Sequence, residues 1–199
     1  VQRNHPKIKE FNELSSLSVG NGEFAFTVDA TGLQTFPELY SAGVPLGTQS
    51  QWGWHSFANP EKYRFEETLK EYDFGRGHKE LYAVQFNEPG RPREAANWYR
   101  ENPHRLHLGI VGLDLTHEDG SLAKADELSE INQELDLWNG QIRSRFQLDG
   151  QSVSVVTACD SLHDEIGAQV VSPLAASGRV GVKLHFPYPT GKHADDACD

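Results

Sequence analysis

The amino-acid sequence predicts an all-β fold built from antiparallel sheets. Three observations carry that expectation. Apolar and polar residues alternate over several segments of strand length, Asn139-Gly140 and Asp149-Gly150 punctuate one long alternating stretch, and helical character is confined to a single short segment. Alternation places successive side chains on opposite faces of a strand, so one face of each strand can join a core.

The clearest element runs from Ile131 to Cys159, where three alternating runs are joined by those two dipeptides. Both central residues of a type I′ turn need positive φ, which Asn-Gly and Asp-Gly supply. Closing the first hairpin on a two-residue turn at Asn139-Gly140 sets Leu137 opposite Ile142, Leu135 opposite Ser144 and Ile131 opposite Leu148. The other face then pairs Asp136 with Arg143 and Glu134 with Arg145, opposite charges across the strands. Closing the second at Asp149-Gly150 sets Phe146 opposite Val153 and Ser144 opposite Val155. The result is a three-stranded meander with Leu135, Leu137, Ile142, Phe146, Val153 and Val155 in one buried layer.

Other segments repeat the period of two. Phe24, Phe26 and Val28 alternate with Glu23, Ala25, Thr27 and Asp29 after the turn Gly20-Asn21-Gly22. Val180, Val182, Leu184 and Phe186 alternate with Gly181, Lys183 and His185. Leu106, Leu108 and Ile110 share one face but Val111, Leu113 and Leu115 the other, which calls for a bulge or bend near Gly109 to Gly112. Leu69 to Phe74 and Leu81 to Phe86 pair across Gly75-Arg76-Gly77, and Ile166 to Val171 adds a strand. The helix runs from Pro92 to about Glu101, with Pro in the tolerated first turn and Asn102-Pro103 as its stop. Thr35 to Asn59 reads as a long loop, and loops longer than about 15 residues without regular structure are often functional.

A length of 199 residues suits one large all-β domain, and one domain over 1–199 is expected. A formal net charge of -11, with no cluster among 18 Lys and Arg, argues against nucleic acid and favours neutral partners such as sugars. Apolar runs fall far short of the roughly 20 residues of a spanning helix, so no membrane partner is expected. No charged start followed by an apolar core marks a signal peptide. The chain begins at Val1, holds no Met and stops at Asp199 without a helix or cap, the pattern of a processed or excised piece. Cys159 and Cys198 form neither metal-type spacing nor a dense disulfide framework.

Three stretches carry side chains suited to chemistry. Gly47 to Ser56 sets Trp52, Trp54 and His55 among Gln, Ser and Gly. Aromatic faces stack on the C–H side of a sugar ring while amides and hydroxyls bond its oxygens, although both Trp side chains would equally anchor the loop to the core. Trp52 and Trp54 lie two apart, so an extended stretch would present both rings on one side. Asn102-Pro103-His104-Arg105 follows the helix, where Arg105 or His104 would grip a hydroxyl, carboxylate or phosphate, or else cap the helix or make an ion pair. His104 and His107 are three apart on one strand, face opposite ways and do not share a metal. The tail from His193 to Asp199 matches no ligand spacing, so no metal and no cofactor is expected. No Gly-rich phosphate loop, Gly-x-Ser-x-Gly elbow or Cys-His nucleophile is present, and no local arrangement singles out a pair of carboxylates.

Two stretches resemble a known domain: Leu17-Ser-Val-Gly-Asn-Gly-Glu-Phe-Ala-Phe-Thr-Val28, and Gln133 to Phe146 continuing through Asp149-Gly150 and Val153 to Thr157. They are similar to the opening strand and central meander of the amino-terminal β-supersandwich of six-hairpin glycosidases, near glycoside hydrolase families 65 and 95 of polysaccharide-degrading bacteria. The Trp-Gly-Trp-His and Asn-Pro-His-Arg patterns are also similar to that group. The resemblance implies a supersandwich of two antiparallel sheets of the galactose mutarotase-like type, and a periplasmic or extracellular location. It further implies a following (α/α)6 catalytic barrel as partner. That barrel supplies the general acid of a hydrolase or phosphorylase, so no catalytic residue is assigned within 1–199 and the isolated chain is expected to be inactive. Trp52, Trp54, His55, His104 and Arg105 remain as candidate carbohydrate contacts. Two competing readings are a non-catalytic carbohydrate-binding module and a mutarotase-like epimerase, whose players would be His107, His185 and Glu134.

Overall fold

The computed structural model describes residues 2–187. The protein is all-β, with 39% of it in strands and 15% helical. In chain order the strands are β1 (Lys7–Ile8), β2 (Leu17–Gly20), β3 (Phe24–Val28), β4 (Thr48–Ser50), β5 (Trp54–His55), β6 (Leu69–Asp73) and β7 (Lys79–Ala83). After helix α1 (Arg91–Glu101) come β8 (His104–Arg105), β9 (Ile110–Leu115), β10 (Ser129–Asp136), β11 (Gln141–Leu148), β12 (Gln151–Cys159), β13 (Ile166–Val171) and β14 (Val180–His185). Where one domain over 1–199 is expected, the described residues group into two compact units. One holds the chain up to Gly53 and again from His107, and the other is Trp54–Leu106.

The first unit is an antiparallel sandwich. Its larger sheet has the order β1-β10-β11-β12-β13, and β2-β3-β4 and β14-β9 make two smaller sheets. Phe24, Phe26 and Val28 of β3 and Leu113 and Leu115 of β9 bury themselves with Ile142, Phe146 and Leu148 of β11 and Val153 and Val155 of β12. Alternation on β3 and β11 thus delivers the faces expected of it.

The second hairpin of the meander closes as read, with Phe146 opposite Val153 and Ser144 opposite Val155. Asp149 and Gly150 both take positive φ, 50° and 72°. The first hairpin differs. Leu135 pairs with Ile142, Gln133 with Ser144 and Glu134 with Arg143, a register two residues away from the expected one. The cause is a wider turn, Leu137 to Gly140, closed by Gly140 N–H donating to the Asp136 carbonyl at 2.9 Å. The Asp136 carboxylate also accepts from Trp138 N–H at 3.0 Å and Asn139 N–H at 3.2 Å. A shift of two preserves which face each residue occupies, so Leu135 still packs on the core. Leu137 does not: it sits in the turn, 49% exposed, which removes it from the buried layer.

Two further expectations are corrected. Beyond Val180, which packs on the core, the apolar side of β14 and the residue after it is open, with Val182, Leu184 and Phe186 all exposed. The segment Thr35 to Asn59 is not one irregular loop, since it contains a 3-10 turn at Pro37–Tyr40 and strands β4 and β5.

Between β3 and the Pro37–Tyr40 turn, residues Asp29 to Phe36 are buried although they form no strand. Backbone groups taken out of water need partners, and core side chains provide them. Gln133 Nε2 donates to the Asp29 carbonyl at 2.7 Å and to Ser144 Oγ at 2.9 Å, and Thr157 Oγ1 donates to the Gly32 carbonyl at 2.6 Å. The Asp29 carboxylate accepts from Thr31 N–H at 2.7 Å, Thr31 Oγ1 at 2.6 Å and Phe36 N–H at 2.7 Å. A Cβ on Gly32 would meet Ser144 Oγ at 2.7 Å, so the segment lies tightly on the sheet.

The second unit holds α1 and two small sheets, β5-β8 and β6-β7. The helix starts one residue earlier than expected and ends at Glu101 as read. Strand β6 pairs with β7 from Leu69–Ala83 to Asp73–Lys79 across the Gly75-Arg76-Gly77 turn as expected, but β7 spans Lys79–Ala83 in place of the expected Leu81 to Phe86. Arg91 of α1 clamps Glu67 through Nε to Oε2 at 2.6 Å and Nη2 to Oε1 at 3.2 Å.

Candidate functional site

The expected contact residues divide between the units. Trp52 belongs to the first, while Trp54, His55, His104 and Arg105 belong to the second.

Trp52 follows β4 in a turn closed by Gly53 N–H donating to the Ser50 carbonyl at 3.2 Å. The stretch is therefore not extended there, and the alternation that would align Trp52 with Trp54 is broken. Gly53 packs closely on Leu108: a Cβ would meet Leu108 Cδ2 at 2.7 Å and oblige that side chain to move. The indole of Trp52 is 65% exposed, yet its orientation is fixed: Nε1–H donates to Asp164 Oδ2 at 2.8 Å. The same oxygen accepts from Ser50 Oγ at 2.5 Å. Ser50 and then Trp52 hold the Asp164 carboxyl below its ordinary range, against partial desolvation.

The loop between β12 and β13 presents Asp164 because Asp160 folds it. Asp160 Oδ1 accepts from the N–H groups of Leu162 and His163, both at 2.8 Å. Asn21 Nδ2 then donates to the His163 carbonyl at 3.0 Å, tying the loop to the Gly20-Asn21-Gly22 turn. The site so built is an open aromatic face beside a carboxylate whose position is set by three segments of the first unit. Asp164 was not legible in the sequence. It lies in a loop with no motif, and its only local signal is the Asp160 that starts the turn.

In the second unit, β5 and β8 are antiparallel, with Trp54 opposite Arg105 and His55 opposite His104. Cross-strand partners share a face, so the four residues separate into two pairs. Trp54, 55% exposed, and Arg105 face outward, an arrangement suited to stacking a ring and bonding its hydroxyls. His55 and His104 form the inner pair, their ring centroids 5.3 Å apart. Phe57 lies edge-on to His55 at 4.8 Å and also against His104 at 5.8 Å. Asn102 fixes this corner: its Oδ1 accepts from Phe57 N–H at 2.5 Å and its Nδ2 donates to the Trp98 carbonyl at the end of α1 at 2.8 Å. Asn102 thus closes the helix end, the capping role foreseen for this stretch.

Of the residues of the epimerase reading, His107 and Glu134 each have partners within the first unit. His107 Nδ1 accepts from Thr48 N–H at 3.2 Å, and burial holds its pKa below the ordinary imidazole value, with His185 adding to the effect. Glu134 bonds His5 Nδ1 at 2.9 Å and pairs with Lys7 at 3.4 Å. A further cluster joins His117 to Asp149 at 2.9 Å and to Glu127 at 3.0 Å, and Arg179 pairs with the same Asp149. It ties the Asp149-Gly150 turn to the 3-10 turn Ala125–Glu127, a structural brace.

Among the described residues no group of three or more His, Cys, Asp or Glu side chains is arranged to hold a metal ion. The tail from His193 to Asp199, with Cys198, lies outside the described residues. No helix among the described residues is long and apolar enough to cross a membrane. No protein-family model, curated protein or solved structure matches the chain.

Proposed function

We propose that this chain is the carbohydrate-holding β-sandwich part of a glycoside hydrolase or phosphorylase, and that Trp52 is its sugar platform. One observation supports the reading above the others: a large indole stands open to solvent while its only polar atom is tied to Asp164. A ring already fixed in orientation loses little freedom when a sugar stacks on it. The pair Trp54 and Arg105 repeats the combination of open aromatic face and hydrogen-bond donor in the second unit. A net charge of -11 suits a neutral glycan.

The resemblance to six-hairpin glycosidases supplies the rest of the reading. A helical barrel carries the general acid, this chain contacts it and the glycan, and the protein works in the periplasm or outside the cell. The β-sandwich by itself performs no glycosidic bond cleavage, because general-acid catalysis needs a carboxyl group held against the leaving oxygen.

The test is titration of the chain with a panel of neutral oligosaccharides by calorimetry, beside Trp52→Ala. Saturable binding lost in Trp52→Ala, with an unchanged melting temperature, is the expected result. Binding indifferent to Trp52→Ala would remove the platform, and absence of binding to any glycan would remove the reading. Turnover of aryl-glycosides by the repurified chain would place the chemistry within residues 1–199 and overturn the accessory role.

A further inference from the structure

We propose that His55 and His104 form a binding site for a divalent transition-metal ion such as Zn2+, held between β5 and β8 of the second unit. The inference stands apart from the glycan reading and needs neither the barrel nor a sugar.

His55 Nδ1 and His104 Nε2 are both buried, and neither has a hydrogen-bond partner. His104 as a whole is only 9% exposed. Buried polar atoms in native proteins are almost always paired with protein, water or an ion, so two such nitrogens on neighbouring rings can share one partner. They do not satisfy each other, because no hydrogen bond joins them.

The tautomer of a neutral His104 follows from its other nitrogen: Nδ1 lies 2.8 Å from the Glu101 carbonyl, which can only accept, so Nδ1 carries the proton and the lone pair falls to Nε2. An imidazole that donates one N–H to a backbone carbonyl and points the other nitrogen at an ion is the usual arrangement of a metal-ligating histidine. The carbonyl belongs to the last residue of α1, so the helix end fixes the ring.

The spacing agrees. A tetrahedral ion about 2.0–2.1 Å from one nitrogen of each ring places two imidazole centroids about 5 Å apart. The observed separation is 5.3 Å. The pairing of His55 with His104 across an antiparallel ladder brings both rings to the same face, and Phe57 packs against both, providing an apolar wall. Asn102 holds the Phe57 backbone in place. No third His, Cys, Asp or Glu among the described residues completes the set. The remaining positions therefore fall to water or to an oxygen of a bound ligand, and the ion is held by a two-imidazole chelate, not a closed structural cage.

The experiment uses the full chain, freed of metal with a chelator. Co2+ and Zn2+ are titrated into wild type, His55→Ala, His104→Ala and His78→Ala, whose exposed imidazole is a control for surface binding. In the wild type Co2+ is expected to give the visible absorption of a tetrahedral nitrogen-ligated ion with one-to-one saturation. Zn2+ is expected to displace it and raise the melting temperature. Loss of either pocket imidazole should weaken binding by about tenfold or more and abolish the thermal shift. His78→Ala should behave as wild type. If His104→Ala does not fold, His55→Ala, whose side chain is only partly buried, decides alone. Two results overturn the proposal: no saturable metal binding by the wild type, which leaves a bridging water as the partner of the two nitrogens, or unaltered binding in His55→Ala, which places the ion elsewhere.

Discussion

Asp29 is the most strongly perturbed carboxyl group among the described residues. Burial pushes its pKa up from an ordinary 3.8 to about 6, and the hydrogen bonds from Thr31, Phe36 and Thr35 only partly counter that burial. The carboxyl is therefore easier to bury protonated, and folding gains stability where Asp29 is protonated in both states, below about pH 4. That stability is lost as pH rises through about 6, when the folded protein must hold the charged form. The shift from 3.8 to about 6 corresponds to about 3 kcal/mol. Asn at this position cannot titrate. Asp29→Asn is expected to lower stability near pH 4, since its amide places a donor against Phe36 N–H, and to flatten the change between pH 4 and 7. Urea unfolding of both proteins at the two pH values measures the difference. Equal pH dependence in wild type and variant would mean that Asp29 is ionised throughout.

At the scale of elements, the turns decide what the strands can do. The meander shows this within one stretch of sequence, because Asp149-Gly150 closes as a two-residue turn while Asn139-Gly140 is drawn into a four-residue turn by the Asp136 carboxylate. Gly150 has open space around its Cβ position and a φ of 72°, so Gly150→Ala meets only the conformational penalty of about 1–2 kcal/mol for a left-handed L-residue. Gly167 also has open space but no left-handed φ, and Gly167→Ala is expected to be close to neutral. Chemical denaturation of the two variants checks the contrast, and equal losses would refute it. The strands that form the core were legible, since Phe24, Phe26 and Val28, and Ile142, Phe146, Val153 and Val155, announce their buried faces by alternation, whereas β4 and β5, too short to show it, read as loop. The first turn was not legible, because a carboxylate bonding two main-chain N–H groups competes with the dipeptide preference and leaves the apolar pattern unchanged. The buried Gln133 and Thr157 were not legible either. They serve carbonyls more than a hundred residues away in sequence, and no local pattern records such a partner. For the candidate site, the sequence showed which residue types matter. It did not show that Trp52 turns to Asp164, or that His55 pairs with His104.

At the scale of the whole molecule, the second unit interrupts the first between Gly53 and His107. The two ends of the interruption meet within the first unit. Leu108 N–H donates to the Thr48 carbonyl at 2.8 Å, His107 accepts from Thr48 N–H, and Gly53 lies against Leu108. Replacing residues 54–106 by a short Gly-Ser linker should therefore leave the sandwich folded, with a β-type circular dichroism spectrum and a cooperative melt. A chain that remains unfolded would show that the inserted residues are needed to close the sandwich.

The same topology has a consequence in time. Lys7 of β1 finds its partner in Glu134, so the larger sheet cannot be completed until most of the chain has left the ribosome. Residues 54–106 are contiguous and emerge well before β10 to β13. On the nascent chain the small inserted unit can form first, while Phe24, Phe26 and Val28 wait, bare, for Ile142, Phe146 and Val153 to cover them. The entropic cost of closing so long a loop rises only by about 0.6 kcal/mol per doubling of its length. The risk is instead exposure: an apolar strand face kept without its layer during synthesis is where a chaperone would act and where aggregation would begin.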